Sequence, residues 1–312
     1  MDAGGSRTVV RAEGCDGAAR ELVFPSMNPA SVGPEGAAAT LAAIFRRVVA
    51  LAGGAPVTAW IGSASVTPET IDRVGDEVRA AASGTGLRGL VALSEDATTL
   101  LLAPPLNGTG IVTIVGTGTI TVARGPAGPL TQFGGYEYLL DDEGSGFDLG
   151  LHGLRAAARA FDRRGPRTVL LERMREAYGR PVPALGVELA ATPYPKKAVA
   201  EFAVRVCEAA DEGDAVAAEL VDHAVAAILR NIRAALPLFP GPEIDLVLAG
   251  SVATRSHSYA GRLAGRLART DPRLRRHVVA QPAASALEMA RRVRGTGAVP
   301  APPDCLHACL RL

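Results

Sequence analysis

The sequence predicts an α/β fold in two lobes, and three observations carry that prediction. Its 312 residues exceed what one hydrophobic core ordinarily encloses. β-Branched runs alternate with segments of helical period along most of the chain. One local pattern, a strand, a glycine-and-hydroxyl turn and a second strand, opens the chain and recurs after a break at Pro104-Pro105. That is an internal duplication, one copy per lobe, and such a repeat brings its two turns together across a cleft.

In order, TVVRAEG (8–14) and the RELVFP region (19–25) read as a hairpin across a CDG turn. A helix is expected from Pro34 to Ala52, with proline in its first turn and Gly53-Gly54 as its stop. Strand PVTAWIG, a helix opened by Thr67-Pro68-Glu69, strand GLVALS and the short helix ATTLLLA complete the first lobe. Beyond the break come strands GIVTIVG, ITVARG and PLTQFGG, then a mostly helical stretch to about Pro240. Strand IDLVLAG ends in Gly250-Ser251 before the helix SYAGRLAGRLAR, and a strand near HVVAQ precedes the helix PAASALEMARRV. The expected divisions are 1–104, 105–296 and an irregular tail at 297–312, rich in Gly, Pro and Ala, with the last helix (about 282–294) packing back toward the first lobe.

Composition narrows the function classes. Lysine and arginine (33) nearly balance aspartate and glutamate (32), so a net charge of +1 gives no reason to expect nucleic acid or an anionic membrane as partner. Lysine occurs only at 196 and 197, which removes a lysine-bearing GxxxxGK[ST] phosphate loop. The longest apolar stretch, GAAATLAAIFRRVVALAG, is interrupted by Arg46 and Arg47 and has helical spacing, so it reads as an amphipathic helix and not a membrane span. Scattered Cys15, Cys207, Cys305 and Cys309, without a secretory leader pattern, fit reduced thiols and a cytoplasmic enzyme. Cys305, His307 and Cys309 are too few candidate ligands, on a proline-rich tail, to read as a metal centre.

Small residues between two strands let backbone N–H groups approach an anion, and a nearby hydroxyl adds a donor. Gly4, Gly5 and Ser6 with Thr8, and Gly116, Thr117, Gly118 and Thr119, are two such turns related by the duplication, and as a pair they read as phosphate clamps. Phosphoryl transfer also needs a metal held by carboxylate or water, and a base for the acceptor's proton. Asp2, ahead of the first turn, can hold Mg²⁺. Asp96 lies at a strand's C-terminal edge, where open α/β sheets place reactive groups. Two plainer readings stand beside it: Asp96 is a helix N-cap, or Ser94 caps and Asp96 occupies the favourable first turn. GGYEYLLDDEGSGFDLG (134–150) sets Asp141, Asp142, Glu143 and Asp148 among glycines and aromatics, either as acids complementing a helix start after Ser145 or as a surface for a polyhydroxylated ligand. Gly84-Thr-Gly86-Leu-Arg-Gly89 satisfies GxGxxG but follows a helix and precedes a strand, the reverse of the dinucleotide order, so it is a connecting loop.

DAGGSRT resembles the first phosphate loop of the sugar kinase, Hsp70 and actin superfamily, SEDAT its catalytic-aspartate segment, GTGT its second phosphate loop and LAGSV its adenosine loop. NPASVG, GGYEYLLDDEGSG and CEAADEGDAVAAEL are similar to the N-acetylglucosamine kinase branch, grouped with the BadF/BadG/BcrA/BcrD ATPases, over nearly the whole chain to about residue 294. The resemblance implies two ribonuclease-H-like (actin-like ATPase) lobes, each a mixed sheet with flanking helices, around a central cleft for Mg²⁺, ATP and a sugar. Asp96 would be the base toward the sugar 6-hydroxyl and Asp2 the Mg²⁺ organiser. Gly4, Gly5, Ser6, Arg7 and Thr8 would face the phosphates with Gly116, Thr117, Gly118 and Thr119, Gly250 and Ser251 would border the adenosine, and Asn28, Gly135, Tyr136, Asp142 and Glu143 would hold the sugar. The partners implied are a sugar and ATP, with a homodimer as the family's habit. Ile120 stands where such kinases carry an asparagine, Tyr136 replaces a tryptophan and Asp141 the GDEGS glycine, which bear on acetamido specificity more than on phosphoryl transfer. Competing classes are an ATPase activator, whose cluster-bridging cysteines have no counterpart after the second turn, and a ligand sensor, against which Asp96 argues. An apolar first strand precedes the aspartate in the resembling families, whereas only Met1 does so here, so the first strand is expected to be absent or very short.

Overall fold

The computed structural model describes residues 1–14, 17–299, 305 and 307–312. They form two compact units, one gathering 1–110, 124–130 and 281–312, the other 111–123 and 131–280.

In the first unit, β1 (Asp2–Ala3), β2 (Arg7–Glu13) and β3 (Ala19–Pro25) form an antiparallel meander. α1 (Pro29–Ala52) leads to β4 (Val57–Ser63), α2 (Ile71–Thr85) to β5 (Gly89–Ser94), and α3 (Asp96–Leu102) follows directly. β4 runs parallel to β1, and β5 parallel to β4. Parallel strands covered on both faces read as continuous apolar runs. Trp60, Ile61 and Val91 to Leu93 accordingly sit fully inside the unit.

The second unit repeats the plan. β6 (Gly110–Val115), β7 (Thr119–Arg124) and β8 (Thr131–Phe133) are followed by α4 (Glu137–Leu140), α5 (Gly146–Phe161), α6 (Leu170–Tyr178), α7 (Val182–Ala191), α8 (Pro195–Asp211) and α9 (Ala215–Ala235). β9 (Ile244–Ala249), α10 (Ser251–Arg255), α11 (His257–Thr270) and β10 (Leu274–Val279) complete it. Its strand order is β10-β9-β6-β7-β8, against β5-β4-β1-β2-β3 in the first unit. With each unit's strands counted from its own start, both orders read 5-4-1-2-3, so the duplication extends from the two turns to the whole sheet.

Two expectations need correction. The first helix starts at Pro29, five residues early, because Asn28 caps it, its Oδ1 accepting from the Ala30 N–H at 2.9 Å. Gly33, at φ 76°, kinks it where Pro34 begins the straight part. The tail is not wholly irregular. After α12 (Pro282–Thr296), which packs on β4 and α3, β11 (His307–Arg311) pairs antiparallel with β5. Its Leu310 is buried, and Leu312 exchanges both backbone hydrogen bonds with Gly89. β11 thereby covers an otherwise open sheet edge; proline-rich neighbours masked its short alternation. Residues 300–304 of the tail and the CDG turn's Cys15 and Asp16 lie outside the described residues. No helix among the described residues is long and apolar enough to cross a membrane.

The single tryptophan fixes the junction on which Asp96 stands. Trp60 Nε1 donates to Thr99 Oγ1 at 2.9 Å and Ser94 Oγ at 3.1 Å, and those hydroxyls lie 2.8 Å apart. Trp60→Phe removes the donor and leaves a gap, which should cost about 2 kcal/mol in chemical denaturation; an unchanged midpoint would show that the network carries no weight.

Candidate active site

In the first unit Gly4, Gly5 and Ser6 link β1 to β2, with Ala3 opposite Thr8. A residue that sequence reading missed orders this turn. Ser26 Oγ donates to the Gly4 carbonyl at 2.9 Å and accepts the Asn28 N–H at 3.0 Å, so Asn28 is tied to the turn through one hydroxyl. The Thr8 hydroxyl is wholly buried and accepts the Met27 N–H at 3.2 Å, so it is engaged in the β3–α1 junction. Arg7 is exposed and favours the ionised form of Asp2.

Asp96 is the first residue of α3, at the C-terminal end of β5. Asp96 occupies the first turn of α3, as the second of the two plainer readings has it, but neither Asp96 nor Ser94 is the N-cap. The N-cap position belongs to Glu95, which makes no side-chain cap, and Asp96 Oδ1 accepts the adjacent Ala97 N–H at 2.8 Å. Gly62 on β4 lets this turn approach, since a Cβ there would stand 2.4 Å from Thr99 Oγ1 and 3.5 Å from Asp96 Cα.

The electrostatics of this end are unusual. Burial, and then the neighbouring Asp2 carboxylate, push Asp96 up to about 7. Burial and Asp96 push Glu95 up to about 8. Asp2 is raised by burial against the opposing pull of the terminal ammonium and Arg7. Mutually repelling acids in a desolvated corner are groups that a divalent cation would stabilise, and a carboxyl near 7 has the affinity of a general base at neutral pH. Glu95 was also missed; only its place beside Asp96 in SEDAT signals it.

In the second unit, the turn between β6 and β7 is held from behind by α5. The Gly146 and Phe147 amides donate to the Gly116 and Thr117 carbonyls at 2.8 and 3.0 Å. Gly250, at φ 90°, brings the β9–α10 junction against the same turn, for a Cβ there would fall 2.3 Å from the Val115 carbonyl oxygen. Ser251 opens α10 beside it. The predicted adenosine and second phosphate segments are therefore neighbours within this unit.

The acidic segment divides. Asp142, 2% exposed, is drawn onto the turn: its Oδ1 accepts the Thr119 N–H at 2.8 Å, and Gly118 leaves room for this carboxylate, since a Cβ would meet that oxygen at 2.7 Å. Lys196 Nζ, at the start of α8, lies 2.8 Å from Asp142 Oδ2. Gly135, at φ 82°, donates its N–H to Asp141 and packs on Ile120. Tyr136 is exposed, and Glu143 reaches the surface to pair with Arg230. Asp148 serves the start of α5, where Ser145 caps by accepting from the Asp148 N–H, and its own carboxylate accepts the Gly144 N–H at 2.9 Å.

The model of the BadF/BadG/BcrA/BcrD ATPase family matches residues 1–262. An N-acetylmuramic acid/N-acetylglucosamine kinase of Clostridium acetobutylicum is 36% identical over 85 residues, which is 27% of this chain and 28% of that protein's length. Among solved structures, a proposed N-acetylglucosamine kinase from Chromobacterium violaceum superposes with a TM-score of 0.67 at 23% identity, covering 93% of this chain and 96% of its own. Another from Porphyromonas gingivalis gives 0.69 at 18% identity over 95% and 98%. At these identities the two structures bear on fold, which they share with this chain.

Proposed function

This chain belongs to the BadF/BadG/BcrA/BcrD ATPase family, and from that premise we propose that it is an ATP-dependent kinase acting on the 6-hydroxyl of an amino sugar, N-acetylglucosamine or a related hexosamine. The observation that carries the reading is Asp96: a carboxyl at a strand's C-terminal edge, in the first turn of α3 but not its N-cap, and held near 7 by burial and Asp2. The amino-sugar class is supported by the Clostridium relative, whose named acceptors are both of that class.

In the proposed reaction Asp96 orients the 6-hydroxyl and takes its proton as O6 bonds to the γ-phosphorus and the bond from that phosphorus to ADP breaks. A loose transition state asks little of the base, so placement and charge neutralisation supply most of the acceleration. Gly4, Gly5, Ser6 and Arg7 are the proposed phosphate residues of the first unit; within the second unit Gly116 to Thr119 are the proposed phosphate residues and Gly250 and Ser251 the proposed adenosine residues. Mg²⁺ suits the acidic corner because burial raises Asp2 and, together with the Asp2 charge, Asp96, and a cation would stabilise their ionised forms there; Asp2 would hold it, directly or through water, and it would neutralise phosphate charge. Asn28, Gly135, Tyr136, Asp142 and Glu143 are the proposed sugar set, and the Ile120 side chain against Gly135 gives that set an apolar border.

A coupled ADP-release screen with Mg²⁺ and ATP across glucosamine, N-acetylglucosamine, N-acetylmuramate and glucose tests the proposal. Turnover on at least one amino sugar, above that on glucose, is expected; no turnover on any sugar would overturn it.

A further inference from the structure

Lys196 is one of two lysines in 312 residues and is only 7% exposed. A buried lysine is uncommon unless it is paired. Here it is paired twice, with Glu137 Oε2 at 2.6 Å and Asp142 Oδ2 at 2.8 Å, while its ammonium lies 5.7 Å from the Tyr138 ring centroid. Tyr138 in turn packs on Phe147 of α5, ring centroids 4.8 Å apart.

Its two acidic partners share a second property. Glu137 and Asp142 stand at φ 64° and 62°, a left-handed backbone that costs a non-glycine residue about 1 kcal/mol. Glu137 opens α4 and Asp142 follows it; this single turn has Leu139 and Leu140 more than 80% exposed, contributing little packing. Such a segment keeps its shape only where surrounding contacts over-determine it. Lys196 supplies those contacts from α8, gripping the segment at both ends. Asp142 transmits the grip, since one oxygen faces Lys196 and the other holds the Thr119 amide of the second glycine turn.

We infer that Lys196 is a positioning residue for the sugar acceptor, latching residues 137–142 onto the second glycine turn so that Tyr136, Asp142 and Glu143 are presented in one arrangement. This rests on the sugar-kinase reading. The turn itself does not depend on the latch, because the α5 amides of Gly146 and Phe147 hold its carbonyls independently. Loss of Lys196 should therefore disturb the sugar far more than the nucleotide.

The groups facing Asp142 are Lys196 from α8, Glu137 from α4 and the Thr119 amide from β7. Burial raises the Asp142 carboxyl, and Lys196 is the largest influence opposing it. Without the ammonium, Asp142 rises further and takes up a proton closer to neutral pH.

The test compares wild type with Lys196→Met by backbone hydrogen exchange and steady-state kinetics. Exchange at 135–144 should quicken at least ten-fold with β9 unchanged, the sugar KM should rise ten-fold or more with the ATP KM within three-fold, and the sugar KM should gain a pH dependence beyond that which Asp96 gives wild type. Unchanged exchange at 135–144, or equal rises in both KM values, would overturn the latch. Lys196→Met/Asp142→Asn leaves no unpaired ion from the Asp142 pair and guards against simple misfolding; it should reproduce the local exchange without the added pH dependence, and wild-type exchange there would refute the inference. If wild type phosphorylates no sugar, the kinase reading fails while the exchange comparison still decides the latch.

Discussion

Asp96→Asn should abolish sugar phosphorylation and, in the same molecule, stabilise the nucleotide-free protein above neutral pH. A positioned base is worth about 10²–10⁴ in rate, and asparagine cannot accept the proton, so kcat should fall at least about 100-fold. The stability change has a definite sign. An ordinary aspartate titrates near 3.8, and this one is pushed up to about 7. Between those values the folded chain binds more protons than the unfolded chain, so stability falls as pH rises through the window and the deficit is complete above it. Discounted for a carboxyl that is partly open to solvent, the deficit is on the order of 2 kcal/mol at pH 8. Asparagine keeps the shape without the charge, so its denaturation midpoint should exceed wild type at pH 8 and match it near pH 4. Nucleotide affinity should change little. A variant that keeps full kcat would end the proposed role, and one no more stable at pH 8 would show that burial and Asp2 do not raise the Asp96 carboxyl.

Gly250→Ala should be nearly as costly, through sterics. At φ 90° an alanine is strained before any contact is considered. Its Cβ would then fall 2.3, 2.4 and 2.8 Å from the oxygen, carbon and nitrogen of Val115, which are main-chain atoms held in β6. Backbone strain and overpacking together should cost about 3 kcal/mol. Relief requires moving Val115, whose neighbour is Gly116, so nucleotide affinity should fall with stability, by ten-fold or more in calorimetric titration. Wild-type affinity in a folded Gly250→Ala chain would separate the β9–α10 junction from the nucleotide site.

Much of this was legible in sequence because the relevant signals are local. Strand, glycine turn and strand appear as contiguous residues twice, and one strand order recurs in both sheets. Asp96 could be picked out because SEDAT follows an apolar strand, although its place one residue inside the cap follows from where the helix begins, with Glu95 at the cap position. What stayed hidden depends on contacts between distant residues. Lys196 meets Asp142 54 positions away, and only its rarity hinted that it was placed for a purpose. Ser26 acts across 22 residues on Gly4, and Trp60 across 34 and 39 residues on Ser94 and Thr99, as ordinary side chains in ordinary elements. Asp142 was read as a sugar ligand from its motif; its second engagement, with the Thr119 amide, follows from a fold-back that periodicity cannot express.

The central claim, phosphorylation of an amino sugar at its 6-hydroxyl with Asp96 as base, is tested most directly by phosphorus and carbon magnetic resonance of the product formed from N-acetylglucosamine, Mg²⁺ and ATP. The expected spectrum shows one phosphomonoester coupled to carbon 6, formed in step with ADP by wild type and absent with Asp96→Asn. ADP without phosphorylated sugar, a phosphate on another carbon, or equal product from both chains would contradict it.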